Sequence, residues 1–147
     1  MTKNQIVDKV VLELSEKIYT LKSDIQSLVS DSSENSKPTS GDKHEVGLEM
    51  SMGELDRLSS QLDTYKRQLS ELELMDQSAK NIVEPGSVVK TNNGLFFISV
   101  AFGLLKMEKD SIFCLSPQSP LATALYGSVE GDVVKLNGLE HRILYIR

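Results

Sequence analysis

Apolar residues in the first part of the chain recur in a strict alternation of four and three. Val7, Val11, Leu14, Ile18, Leu21, Ile25 and Leu28 form one seam, separated mostly by Lys, Glu, Asp, Ser and Gln. That period predicts an α-helix with a single narrow apolar stripe. About 27 residues at ~1.5 Å each make a rod of ~40 Å. The seam stops at Ser30. Residues 31–41 are rich in Ser, Asn, Pro and Gly, which compete with helical hydrogen bonding or cannot supply it, so a loop is expected there. A second seam runs through Leu48, Leu55, Leu58, Leu62, Tyr65, Leu69 and Leu72. Two such stripes joined by a short loop predict an antiparallel coiled-coil hairpin over residues 1–80, each helix burying its stripe on the other. Pairing between separate chains is the alternative. Gly47 and Gly53 weaken the start of the second helix by roughly 1 kcal/mol each relative to Ala. The hairpin is therefore expected to be loosest near its loop.

The pattern then changes. Residues 78–85 read as a linker, and residues 86–147 as a compact β-rich domain. Ser87 to Lys90 predicts a short strand, and Asn93-Gly94 a two-residue hairpin turn. Leu95 to Ala101 is apolar on both faces, which predicts a central strand, and Ile112 to Leu115 predicts another. Ser119-Pro120 supplies an N-cap with Pro at the first helical position, and the short helix it opens ends near Gly127. Val133 to Leu136, Asn137-Gly138 and Leu139 to Ile146 predict a closing hairpin. The expected fold class is α+β, with four or five strands and one short helix after the helical hairpin.

Charge separates the two parts further. Residues 1–80 carry 15 acidic and 10 basic side chains, and residues 81–147 carry 6 of each, giving the net −5 of the 147-residue chain. Such a balance argues against a sequence-independent nucleic-acid binder, which needs a basic surface to displace counterions. It suits entry into a basic cavity of a partner. The one cysteine, Cys114, excludes an internal disulfide; its apolar neighbours predict a buried thiol in a reducing compartment. No apolar run approaches ~18 residues and no signal-peptide core is present, so no membrane partner and a cytoplasmic location are expected.

Candidate chemistry centres on Ser40-Gly41-Asp42-Lys43-His44-Glu45. Asp42 and Glu45 match a capping box, in which each side chain would accept from the other residue's backbone N–H. The helix dipole favours acids there as well. The same two carboxylates, three apart, share one face of a helix and suit a hard cation such as Mg²⁺, which takes one or two carboxylates and keeps several waters. Two ligands hold it weakly alone; they matter where another site supplies the rest. Both readings stand on these residues.

The chain resembles the Gre family of bacterial transcript cleavage factors. The resemblance rests on Gly41-Asp42-Lys43-His44-Glu45, which matches the family's Gly-Asp-x-x-Glu tip. It rests also on Ser116-Pro117-Gln118-Ser119-Pro120-Leu121-Ala122 followed by Gly127-Ser-Val-Glu-Gly131-Asp132-Val133-Val134, in that order. The resemblance implies a C-terminal domain of FKBP-like fold that docks on RNA polymerase, and a hairpin that enters the polymerase secondary channel. It implies that Asp42 and Glu45 act as catalytic and metal-binding residues, sharing a Mg²⁺ ion with the polymerase so that backtracked nascent RNA is cut. On that reading the chain is a monomeric cofactor protein and not a self-sufficient enzyme. Val46 stands where the family usually has Asn, the loop is Ser-rich with extra acids Asp31 and Glu34, and Lys43, Arg57, Lys66 and Arg67 are scattered among acids. These departures favour a second reading, a channel-binding regulator without cleavage. A helical-hairpin adaptor, with Asp42 and Glu45 only a cap, is the third.

The remaining residues read as structural. His44 is expected to be a solvated first-turn histidine, and His141 a surface residue. Phe96, Phe97, Phe102 and Phe113 are expected in the core rather than in an isomerase pocket. No phosphate loop, nucleophile–base pair or zinc spacing is present.

Overall fold

In a computed structural model the described residues are 2–34 and 41–147; for 31–34 and 41–51 the description covers backbone alone. The element order is α1 (Lys3–Glu34), α2 (Gly41–Leu74), β1 (Val88–Thr91), β2 (Gly94–Ile98), β3 (Gly103–Lys106), β4 (Ser111–Leu115), α3 (Pro120–Leu125), β5 (Val133–Leu136) and β6 (Leu139–Ile146). This is the expected α+β class: a long helical hairpin followed by a mixed sheet. The chain divides into two compact units. One is Leu12–Leu69; the other joins Met1–Val11 to Ser70–Arg147.

α1 starts at a reciprocal capping box. Gln5 N donates to Thr2 Oγ1 (3.2 Å), and Thr2 N donates to Gln5 Oε1 (2.8 Å), which satisfies two otherwise orphaned donors. The helix continues to Glu34, past the stop expected at Ser30. Residues 31–34 carry no proline, and polar side chains alone do not break an established helix. Of the loop expected over residues 31–41, residues 35–40 lie outside the described residues, and Gly41 already opens α2.

Within the unit of residues 12–69 the two stripes meet as expected. Leu14, Leu21 and Leu58 are buried, and Ile18, Ile25, Leu28, Leu55, Leu62, Tyr65 and Leu69 are at least half-buried. The Lys17 ammonium lies 5.7 Å from the Tyr65 ring centroid, a cation–π contact between the two helices. The first turns of α1 differ from expectation. Ile6 and Val10 are buried, while Val7 and Val11 are only half-buried. Those turns group with residues 70–147, and burial there falls on a different face of the helix.

Six strands form one sheet in the order β3-β4-β2-β1-β6-β5, with β2 and β4 parallel and the other neighbours antiparallel. The central β2 has both faces buried, as its two-sided apolar sequence predicts. β3, absent from the expected four or five strands, is a short edge strand; Leu104-Leu105 shows no clean alternation to mark it. Val83, Val89, Phe96, Ile98, Ala122, Leu125 and Ile143 form a core beneath α3. Val88, Leu95, Phe97, Leu105, Ile112 and Cys114 are buried toward the opposite face.

Local turn chemistry sets the edges. Ser119 caps α3, its hydroxyl accepting from Ala122 N, and Pro120 occupies the first turn. Asn137 (φ 52°) and Gly138 (φ 80°) are both left-handed, the requirement of a type I′ turn between β5 and β6. The β1–β2 turn sits one residue earlier than expected. Thr91 pairs with Gly94, so Asn92-Asn93 is the loop. Its side chains are committed elsewhere: Asn92 Oδ1 accepts from Arg142 N (2.7 Å), and Asn93 Nδ2 donates to Glu140 O (2.7 Å).

Candidate functional site

α2 begins at Gly41, which places Asp42 and Glu45 second and fifth in the helix. The capping box expected of Asp42 and Glu45 turns on their side chains, which the description of this stretch does not cover. Both acids stand at the positive end of a 34-residue helix, three apart and on one side of it. Two carboxylates so spaced are a donor set of the type Mg²⁺ takes. The side chains of Asp42, His44 and Glu45 lie outside the described residues. Among the described residues no group of three or more His, Cys, Asp or Glu side chains is placed to hold a metal.

Further along the hairpin, Arg57 is engaged by its own helix. Its Nη2 and Nε donate to the two carboxylate oxygens of Glu54 at 2.6 and 3.0 Å. This bidentate bond raises the Arg57 pKa and holds Glu54 below the usual carboxylate value. Arg57 is therefore matched by an acid, in keeping with the scattered basic residues of the sequence.

The second motif builds structure. Ser116 and Ser119 hydroxyls accept from Gln118 N and Ala122 N, turning the chain into α3. Gly127 and Gly131 have φ of 79° and 92°. Asp132 Oδ2 accepts from Val129 N (2.9 Å), and Asp132 O and Gly131 N bond to Ile143 of β6 (2.9 Å each). The residues that carry the family resemblance thus fasten α3 to the closing hairpin, and they leave Tyr126 and Val129 exposed beside it.

Residues 78–85, expected as a linker, are held at Ser78, Lys80, Val83 and Glu84. Val83 is in the core, exchanging backbone hydrogen bonds with Gly127 N (2.8 Å) and Ser128 O (2.9 Å). Lys80 is 8% exposed, and its Nζ bridges Asp76 Oδ2 (2.7 Å) and Glu84 Oε1 (3.2 Å). The hydrogen bond from Lys80 holds the exposed Asp76 carboxyl well below the usual range and raises the Lys80 pKa. Lys3 reaches the same segment, Nζ to Ser78 O at 2.8 Å; burial, then the Lys80 charge, lowers its pKa.

Two other expectations are resolved here. Cys114 is buried, and desolvation pushes its thiol up to about 12, so it is an inert core residue. His141 is not a surface residue. It is 5% exposed, with Nδ1 3.2 Å from Asn93 Nδ2 and its ring edge-on to Phe96. Its place on β6 two residues before the buried Ile143 explains this, since alternate residues share a face. Phe96 and Phe97 are buried as expected, whereas Phe113 is 45% exposed, stacked on Phe96 at 6.1 Å. No helix among the described residues is long and apolar enough to cross a membrane.

Neither a protein-family model nor a curated protein matches the chain. Solved structures similar to it include the GreA factor homolog 1 (Gfh1) protein of Thermus thermophilus, at 22% identity, 93% of this chain, 94% of that chain and a TM-score of 0.39. A structure described as the transcription factor Gfh1 has 21% identity, 92% of each chain and a TM-score of 0.38. Thermus aquaticus Gfh1 has 21% identity, 95% of this chain, 94% of that chain and a TM-score of 0.41.

Proposed function

We propose that this chain is a Gre-like transcription factor that places the hairpin's loop end in the secondary channel of RNA polymerase. There Asp42 and Glu45 add two carboxylates to the polymerase's own Mg²⁺ site. The observation that carries the reading is the pairing of Gly41-Asp42-Lys43-His44-Glu45 with the start of α2. The motif opens the second of two helices of more than 30 residues, each ~48 Å or more long at 1.5 Å per residue. Two-metal hydrolysis at that site would use one ion to activate the attacking water and the other to stabilise the leaving oxygen, and Asp42 and Glu45 would help hold one of them. Backtracked nascent RNA is what is cut.

A second reading is a channel-binding regulator without cleavage, favoured by Val46 beside Glu45 and by the acids Asp31 and Glu34 near the loop. One experiment separates the two. Backtracked elongation complexes are mixed with the protein and Mg²⁺, and release of short 3′ RNA fragments is followed beside polymerase binding. Stimulated release that Asp42→Ala and Glu45→Ala abolish, with binding retained, supports the first reading. Binding without stimulated release supports the second, and no binding removes both.

A further inference from the structure

A cavity of about 300 Å³ opens between the first turns of α1 and the face of the sheet opposite α3, all within one compact unit. Its floor is apolar, made by the buried Ile6, Val88 and Leu95. Its rim carries three cations, Lys3, Lys90 and Arg147, against one carboxylate, Asp110. This local balance is the reverse of the chain's net −5.

The sheet register explains how the cations come together. Lys90 pairs with Leu95 on one side and Tyr145 on the other. Val88 and Arg147 exchange both backbone hydrogen bonds (2.7 and 2.8 Å), so Arg147 lies two residues beyond Tyr145 on the same face. The Arg147 guanidinium is held over the Tyr145 ring, 4.5 Å from its centroid. Lys3 is tethered through Ser78 O, and its pKa is lowered by burial and by the Lys80 charge, against the opposing pull of Asp76 and Glu84. Among the described residues neither Lys90 nor Arg147 forms an ion pair with a carboxylate. The positive end of α1 adds to the same field.

We infer that this cavity is a docking site for an acidic peptide segment of a protein partner, one carboxylate meeting Lys90 and Arg147 and a neighbouring aliphatic side chain covering Ile6, Val88 and Leu95. A planar guanidinium pairs bidentately with a carboxylate. An apolar floor has no use for a sugar–phosphate backbone. The site is remote in sequence from Asp42 and Glu45 and does not depend on polymerase being the partner.

The test titrates the isotope-labelled full chain with the blocked peptide acetyl-Gly-Glu-Leu-Glu-Gly-amide and follows backbone amide shifts by NMR. The expected result is saturable shifts confined to residues around Ile6, Val88, Lys90, Leu95 and Tyr145, with weaker binding as salt rises. Lys90→Glu and Arg147→Gln each weaken binding, the charge reversal by about tenfold or more. Unchanged thermal melts of the two variants exclude misfolding as the cause. Equal shifts with the control peptide acetyl-Gly-Gln-Leu-Gln-Gly-amide would overturn the proposal, because the carboxylate would then be irrelevant. The same shifts with inorganic phosphate or a short single-stranded RNA would overturn it in favour of a phosphate site. Absence of shifts at millimolar peptide would overturn it outright.

Discussion

At the scale of single residues, charge and burial make two predictions. The ion pair with Lys80 depresses the Asp76 pKa, so ionised Asp76 favours the folded state. That contribution is fully present above the ordinary carboxylate pKa of about 4 and fades as pH falls through and below it. Asp76→Asn is therefore expected to lower the unfolding midpoint at neutral pH. The gap to the unaltered protein should narrow in melts recorded at successively lower pH below about 4. A constant gap across that range would show that the Asp76 charge contributes nothing. Cys114 gives the second prediction. With its pKa near 12, the native thiol should react with a thiol-specific reagent at pH 8 only on unfolding. Residues of this kind are poorly legible in sequence. Lys80 and His141 are polar residues in stretches that read as linker and surface, and only the partners Asp76, Glu84 and Asn93, brought by the fold, satisfy them inside.

Elements were legible wherever one short motif decides the backbone. Ser119-Pro120 and Asn137-Gly138 fix a helix start and a hairpin turn by their own chemistry, and both stand where the sequence puts them. Ser119→Ala should cost about 1 kcal/mol of stability through loss of the bond to Ala122 N, measured by urea unfolding. The β1–β2 turn was misplaced by one residue because Asn92 and Asn93 are held by β6, a contact distant in sequence. β3 was missed because an edge strand of four residues has little pattern to read. Glycines show the same contrast between local and distant causes. Gly53 is exposed in α2, and a Cβ there would meet nothing, so Gly53→Ala should stabilise the hairpin by up to about 1 kcal/mol. Gly86 has φ 94°, and a Cβ there would collide with the backbone oxygen of Asp76. Gly86→Ala should therefore destabilise the sheet unit by more than about 2 kcal/mol, and calorimetry of the two variants gives opposite shifts.

At the scale of the whole molecule, the hairpin-then-sheet order follows from hydrophobic period alone, 3.5 residues before residue 74 and near 2 after residue 87. The division into units does not follow from it. Ile6, Val7, Val10 and Val11 offer the first turns of α1 two apolar faces. A heptad count favours Val7 and Val11, yet Ile6 and Val10 are buried, since residues 1–11 belong with the sheet. The start of one helix therefore serves a different core from its remainder, and this can be measured. Ile6→Ala removes a side chain that is 3% exposed and should cost about 2–4 kcal/mol, drawn from the sheet unit. Ile25→Ala, at a half-buried place on the hairpin seam, should cost less, and from the hairpin alone. Hydrogen exchange distinguishes the two. Ile6→Ala should raise exchange at amides of β1 and β2 and leave residues 55–65 protected, and Ile25→Ala should do the reverse. Equal loss across both sets in either variant would mean that the units unfold as one.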